Sequence, residues 1–348
     1  MGTRMRSKAW TLYLALILFP PLVHAGEGDG SGFDFLRRET GARLVSMAGA
    51  FVAMDGDVHG LFTNPAVLSG VDRMNLGLTY TDVFLDIRSG NLVFCRPVTE
   101  TGRIGIGIDF IDYGDMSTVD ETGQTTGTFW AGDWAVGIAY GQRFPFGLSG
   151  GISAKVIQSK IESYSSVGLA VDAGLLFRIE SQQMTLGASV QNLGRSVKAF
   201  MDTHERMPTA FRLGFSKRLA HLPLLLGFNI LRDVYQPSSA FLGLTWALGG
   251  EFTLTDHLFL RLGYNSRGQE QKAGWGPDRW AGISLGFGLL FKRYRVDYGF
   301  RSQGILGQEI LFPVGVDLCR GWPSRNQVFP LEPPLSRGFL LGLWMERD

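Results

Sequence analysis

The sequence predicts an all-β fold, a transmembrane antiparallel β-barrel of about 14 strands with an N-terminal helical plug built from small residues. Three observations predict it. Many segments alternate between bulky apolar residues and small or charged ones, the 348 residues include 47 glycines, and a segment rich in small residues precedes the first strand. The charged fraction of 19% is lower than in an average soluble domain, and the difference is typical of a membrane barrel.

The first element, residues 1–25, is predicted to be a secretory signal peptide. It has a basic start, an apolar stretch from Trp10 to Leu22, and the small residue Ala25 that a signal peptidase needs. The mature chain is expected to begin at Gly26, where no cysteine is present to carry a lipoprotein anchor. The alternative is an uncleaved anchor, although the apolar stretch is shorter than the ~20 residues that a spanning helix requires.

Residues 26–72 are predicted to form the plug, and its central part runs from Gly41 to Gly70. This part is helix-like for about a dozen residues. Its small side chains let the backbone lie close to a surrounding wall. We expect Asp57 to cap a helical turn, and Pro65 to end the helix by extending Asn64. The alternative is an ordinary amphipathic helix packed on a soluble sheet.

Residues 73–318 are predicted to form the barrel, because period-two alternation recurs in segment after segment. Leu285, for example, lies on a bulky apolar face and Ser284 on the opposite face. In a soluble β-sandwich, the alternative fold, the second face would be rich in Lys, Glu and Thr. Here it holds glycine, Asp and Arg, which suits a confined interior. We therefore expect Leu285→Arg to abolish membrane assembly and Ser284→Arg to be much milder.

The connections between the predicted strands alternate between short and long from the third strand onward. Outer-membrane barrels have short periplasmic turns and longer outer loops, so the pattern places the plug and the C-terminus on the periplasmic side. The strands are predicted to begin near Arg73, Gly90, Gly102, Gly127, Leu148, Ser166, Met184, Thr209, Pro223, Ser239, His257, Ala281, Tyr294 and Gln308. Residues 319–348 contain four prolines and are predicted to be a periplasmic tail.

Charged residues within the predicted strands are expected to face the lumen, because an arginine turned to lipid costs about 2–4 kcal/mol. We expect the arginines to pair there with wall carboxylates and to pack against the plug, rather than to form an ion-selective pore. Scattered structural pairs are the alternative. The candidate lumen residues are Asp109, Asp172, Arg178, Arg212, Arg261, Arg295 and Asp297, with Arg301 and Glu251.

The sequence contains no pattern that predicts catalysis, a cofactor or a metal. Cys95 and Cys319 are expected to be unpaired, and the histidines lack the spacing of zinc ligands. No nucleophile elbow, phosphate-binding loop or paired-carboxylate motif is present. The net charge of +1 gives no electrostatic footprint for nucleic acid.

The segment GARLVSMAGAFVAMDGDVHGLFTNPAVL resembles the N-terminal motif of the PorV/PorQ family, which is itself similar to the FadL family of outer-membrane barrels. Its Asn-Pro-Ala triplet matches the FadL-type hatch. Further segments resemble the PorQ branch in order and spacing: IDFIDYGD, DETGQTTGTF, KVIQSKIESYSSVGLAVDAGLL, QNLGRSVKAF and FSKRLAHLPL. The resemblance covers Gly41 to Asp317. Its hatch residues are Gly41, Ala42, Arg43, Gly49, Phe51, Asp57, Asn64, Pro65 and Ala66.

This resemblance implies a bacterial outer-membrane protein of type IX secretion that holds or shuttles exported proteins or anchors surface attachment machinery. Its implied partners are outer-membrane lipid and other secretion or cell-surface proteins. The alternative is a FadL-like channel for hydrophobic small molecules, in which a hydrophobic ligand binds near the plug. Apolar loop residues for such a site are sparse; Phe200 and Met201 are the candidates.

Overall fold

A computed structural model describes residues 32–82, 87–200, 204–235, 243–271, 280–303 and 308–317. The predicted signal peptide and the predicted tail lie outside the described residues, and so do Cys319 and Met201. Within the described residues, no helix is long and apolar enough to cross a bilayer.

The described strands form one closed antiparallel barrel in which each strand pairs with its neighbours in sequence and the last pairs with the first. Asn75 of the first strand is paired with Cys95 on one side and with Asp317 of the last strand on the other. This confirms the predicted fold class. The strands are β1 (Asn75–Asp82), β2 (Arg88–Pro97), β3 (Gly102–Val119), β4 (Thr125–Arg143), β5 (Leu148–Ile161), β6 (Tyr164–Ile179), β7 (Met184–Lys198), β8 (Ala210–Arg218), β9 (Leu224–Asp233), β10 (Leu244–Thr255), β11 (Leu258–Asn265), β12 (Ile283–Phe291), β13 (Tyr294–Ser302) and β14 (Gln308–Asp317).

The predicted strand starts agree with the structure to within two residues, except for β10. That strand begins at Leu244 and not near Ser239, which lies outside the described residues. The sequence just ahead of β10 contains Pro237, a residue that is disfavoured inside a sheet.

The exterior of the barrel is covered by large apolar side chains. Leu285 is 46% exposed while its neighbour Ser284 is fully buried, so the predicted inward and outward faces are confirmed. The same outward face carries Ile106, Ile138, Val171 and Leu262. A continuous apolar surface of this kind is unfavourable in water and is stable against lipid acyl chains.

A two-stranded ribbon projects from the end of the barrel that carries the long loops. β2 pairs with β3 only as far as Asp112, and β5 pairs with β4 only from Ala131. A bulge between Asp112 and Asp115 separates the wall part of β3 from the projecting part. The ribbon, residues 115–130, therefore extends roughly 15 Å past its neighbours.

Residues 32–72, called the plug from here on, run through the lumen with little regular structure. The helix α1 (Ala42–Ser46) has five residues, and the remaining helical parts are 3₁₀ turns at Asp34–Arg37, Val58–Phe62 and Pro65–Gly70. The expectation of a longer helix is wrong, because Ala48 and Gly49 adopt φ values of 54° and 83°, which no α-helix accommodates.

The helical turn capped by Asp57 ends at Phe62, just ahead of the extended Asn64 and of Pro65, as expected. Pro65 has a second role that was not expected, because it begins the next 3₁₀ turn. It occupies the first helical position, where its missing N–H would have had no partner in any case. Asn64 is the N-cap, in extended conformation, and its side chain accepts a hydrogen bond from the Ala66 N–H. Extension of Asn64 was expected, and it prepares a new turn.

Candidate functional site

Wall side chains on three neighbouring strands hold the irregular backbone of the plug. Nδ2 of Asn229 donates to the Gly49 carbonyl at 2.6 Å, and Oγ of Ser216 donates to the Ala53 carbonyl at 2.8 Å. Ser189 donates to the Thr63 carbonyl at 3.0 Å. Buried carbonyls outside regular structure need such partners. One side of the plug is therefore attached to β7, β8 and β9 through hydrogen bonds.

The plug also approaches the adjacent wall strands β4, β5 and β6 closely, because they present glycines. The Asn-Pro-Ala triplet lies against Gly141, Gly151 and Gly174, on β4, β5 and β6. A Cβ at Gly151 would overlap the backbone N of Ala66, and a Cβ at Gly174 would overlap the side chain of Asn64. The glycine-rich lumen face is thus the surface on which the hatch residues dock.

Within the hatch, Asn64 joins two plug segments. Its Nδ2 donates to the Val52 carbonyl at 2.7 Å while its Oδ1 caps the following turn. Asp57 caps the turn before it by accepting from the His59 N–H at 3.0 Å, as predicted. Gly41 precedes α1 with a φ of 98°, a conformation that favours glycine.

Six charged side chains meet where α1 faces β10, β11 and β13, and we call them the charge cluster. Arg43 holds Glu251 with two hydrogen bonds of 2.8 Å each. Arg261 lies 2.7 Å from Glu251 and 2.5 Å from Asp297. The members are Arg43, Asp57, Glu251, Arg261, Arg295 and Asp297. Three guanidinium groups face three carboxylates, so the cluster is neutral and its charges can remain buried.

The Arg43 side chain also stacks on the plug itself. Its guanidinium lies 5.5 Å from the centre of the Phe51 ring, within the range of a cation–π contact. Phe51 is fully buried beside Leu44, Met47 and Met54. The hatch residues Arg43 and Phe51 therefore join the apolar interior of the plug to the charge cluster.

The expected pairing of arginines with wall carboxylates is found for Arg261 and Arg295. Arg178 pairs instead with Asp55 of the plug at 2.6 Å, and Arg301 pairs with Glu39 of the plug at 2.6 Å. Arg212 donates to the Gln191 amide oxygen at 2.8 Å. These plug partners are more than a hundred residues away in sequence, and only closure of the barrel brings them to the wall.

The two remaining carboxylates also take partners that were not expected. Asp172 pairs with Lys155 on the neighbouring strand at 2.8 Å, and both side chains are buried. Asp109 lies 3.5 Å from Arg38 of the plug. Neither cation belongs to the predicted set of lumen charges, and Arg38 precedes the hatch motif in the sequence.

An apolar cluster lies in the lumen at the end that carries the long loops. Ile111, Ala135, Ile157 and Ala170 contribute to it from four consecutive strands, β3 to β6. Phe33 and Phe35 reach it from the start of the plug, and Met207 reaches it from the segment before β8. Tyr113, in the β3 bulge, packs against its edge. We call these seven buried residues the apolar cluster.

The apolar cluster was not predicted from the sequence, which pointed to Phe200 and Met201 instead. The sequence nevertheless contains a pattern that indicates this cluster. Ile157 occurs in the lumen-facing register of β5 together with Ser153, Lys155 and Ser159. A large apolar residue on a face that otherwise holds small or charged residues indicates a local apolar environment inside the barrel.

Two of the described histidines lie far apart in the fold. His59 is buried in the plug, and His257 lies in a tight turn between β10 and β11. Among the described residues, no group of three or more His, Cys, Asp or Glu side chains could hold a metal ion. Within the described part of the chain, the buried Cys95 on β2 has no disulfide partner.

Solved structures with a similar fold include several transport proteins. The Ralstonia pickettii toluene transporter TbuX is 12% identical with a TM-score of 0.55, over 80% of this chain and 98% of that chain. The P. putida toluene transporter TodX is 12% identical with a TM-score of 0.55, over 81% of this chain and 100% of that chain. A Pseudomonas aeruginosa FadL homologue is 12% identical with a TM-score of 0.53, over 84% of this chain and 100% of that chain.

These identities concern the fold alone, and they show that this chain has a FadL-type barrel. The structures named above do not support the PorV/PorQ family specifically. No family model matches the sequence, and no curated protein matches it.

Proposed function

We propose that this chain is a bacterial outer-membrane barrel that passes small apolar molecules through its lumen, with the plug controlling their passage. The observation that carries the proposal is the apolar cluster. It is one of several buried apolar clusters in the lumen, and it lies at the end that carries the long loops, beside the β3 bulge. Transport proteins of the same fold, named for toluene, support this choice of ligand class.

The cluster has the composition that an apolar ligand requires. Binding sites for such ligands are lined mainly by aliphatic and aromatic side chains, and burial of apolar surface supplies the driving force. Phe33 and Phe35 belong to the cluster, and both rings are buried. In our proposal a ligand replaces these two rings against Ile157 and Ile111, so entry is coupled to displacement of the first residues of the plug.

Uptake of radiolabelled toluene into cells that overproduce the protein tests the proposal. We expect Ile157→Asn to reduce uptake at least fivefold, because a buried amide without partners opposes an apolar ligand. Ile157→Val is the matched control and should retain most of the uptake. Uptake at the level of cells without the protein, or equal uptake by both variants, would contradict the proposal. Heat-modifiable migration of the outer-membrane fraction verifies assembly.

A role in protein secretion of PorV/PorQ type is the second candidate function. The ribbon of residues 115–130 favours it, because the ribbon is exposed, mostly polar, and extends past the neighbouring strands. Such a ribbon offers backbone groups and threonine hydroxyls to a protein partner. The long polar loops would belong to the same partner-binding surface.

The secretion candidate is tested by pull-down from solubilised membranes, with the ribbon intact and with residues 116–129 replaced by a tight turn. Recovery of secretion or cell-surface proteins only with the intact ribbon would support it. Absence of such partners, together with normal protein export in a deletion strain, would eliminate it.

A further inference from the structure

The lumen faces of β1 and β2 carry polar atoms that are buried and have no hydrogen-bond partner among the described residues. These atoms are Oγ1 of Thr79, Oγ of Ser89, and both Nδ2 and Oδ1 of Asn91. Nδ1 of His59 in the plug is in the same condition. The four side chains are between 1% and 8% exposed. We call Thr79, Ser89, Asn91 and His59 the polar seam.

The members of the polar seam lie along one line. Thr79 is directly opposite Asn91 in the ladder, and Ser89 follows on the same face of β2. Gly77 precedes Thr79 on the same face of β1, and a Cβ at Gly77 would lie 2.7 Å from Nε2 of His59. Same-face residues on a strand are separated by roughly 7 Å and opposed residues by about 5 Å. The seam therefore begins where His59 of the plug meets β1, and it continues along the lumen faces of β1 and β2.

The two sides of the plug differ in how their polar groups are satisfied. On the side of β7, β8 and β9, side chains such as Asn229 and Ser189 donate to plug carbonyls. On the side of β1 and β2, the seam atoms are packed without partners, which costs free energy as long as the interface stays closed. Separation at the seam would let water bond to these atoms, whereas separation at the other side would break existing bonds.

We propose that the plug separates from β1 and β2 first, and that the polar seam then admits water and small uncharged polar molecules. Uncharged solutes are favoured because Thr79, Ser89 and Asn91 offer hydroxyl and amide groups and carry no charge. The plug remains attached to β7, β8 and β9 throughout. This passage differs from the apolar cluster, and the proposal does not depend on transport of apolar ligands.

Labelling of single cysteines with iodoacetamide, a small uncharged polar reagent, tests the proposal. In a chain carrying Cys95→Ser and Cys319→Ser, Thr79→Cys places a thiol in the seam. Ser189→Cys is the matched control, because it is also buried and lies at a similar distance from the short-turn end of its strand. We expect the Thr79→Cys thiol to react at least tenfold faster. Equal rates, or faster reaction of the control, would overturn the proposal.

A second substitution tests whether the unpartnered polar atoms cause the separation at the seam. Asn91→Leu removes two unpartnered atoms, so the closed interface should become more favourable. We expect it to slow labelling of the Thr79→Cys thiol at least threefold, and Asn229→Leu to speed labelling of the Ser189→Cys thiol. If Asn91→Leu prevents assembly, Ser89→Ala tests the same point. Unchanged or faster labelling of the seam thiol after either change would overturn the proposal.

Discussion

Arg43 of the plug and Glu251 of β10 form a two-pronged ion pair, in which Nε and Nη2 each lie 2.8 Å from a carboxylate oxygen. The geometry matches the planar fork of the guanidinium. Glu251 also accepts from Arg261 at 2.7 Å. One wall carboxylate thus holds the helix of the plug and a neighbouring strand together.

Glu251→Gln should therefore be strongly destabilising. It leaves three arginines facing two carboxylates in a buried site, and loss of one partner from a buried ion pair typically costs about 3–5 kcal/mol. Urea unfolding in detergent micelles, followed by heat-modifiable migration, measures the change. Adding Arg43→Gln restores charge balance and should recover part of the loss. A double variant as unstable as the sum of the two single variants would show that the cluster is not coupled.

Leu285→Arg should prevent or strongly impair assembly, because the arginine would face lipid at a cost of about 2–4 kcal/mol. Leu285→Met is the matched control and should assemble normally.

The structure changes one expectation from the sequence, since Ser284 is fully buried against the lumen contents. An arginine there would be overpacked, so Ser284→Arg should not be mild. Assembly yield in the outer-membrane fraction decides both points.

Gly151→Val should displace the hatch, because the added side chain would overlap the backbone of Pro65 and Ala66. Gly127→Val is the matched control, since a Cβ at Gly127 meets nothing within 4 Å. Both glycines lie in strands, where valine is well tolerated. We expect limited proteolysis to cut the plug at least tenfold faster in Gly151→Val only. Equal protection of the two variants would show that the plug does not need this close approach.

The ion pair between Glu39 and Arg301 should make stability depend on pH. Burial would raise the pKa of Glu39, but the attraction of Arg301, Arg212 and Arg267 is stronger and lowers the pKa from 4.5 to about 2. Because the folded-state pKa is the lower one, this contribution is complete above pH 4.5 and is lost as the pH falls toward 2. Unfolding midpoints of the wild type should converge on those of Glu39→Gln in that window. A constant difference between the two would contradict the assignment.

Much of the fold was available in the sequence. Ile106 and Gly107, or Leu285 and Ser284, have opposite character at adjacent positions, and a strand has no other way to place adjacent residues than on opposite faces. The face of large apolar residues then points outward to lipid, and the face of small or charged residues points inward to the lumen. The cap formed by Asp57 was also predictable from the sequence, because it depends only on residues close to Asp57 in the chain.

The candidate site was less accessible to sequence reasoning. The helix of the plug is shorter than its composition indicates, because Ala48 and Gly49 turn the chain so that Asn229 can reach its backbone. The arginine partners were mostly missed for a related reason. Glu39 and Asp55 belong to the plug, and their pairing with Arg301 and Arg178 depends on the path of the plug through the lumen.

The sequence by itself determined the barrel, its strand order and the faces of its strands, because these follow from a two-residue period and from local turns. Only the tertiary structure decided which wall strands bind the plug, how the charge cluster is balanced and where the apolar cluster lies. These contacts join residues far apart in the chain, and their geometry is set by barrel closure and by the register of each strand pair.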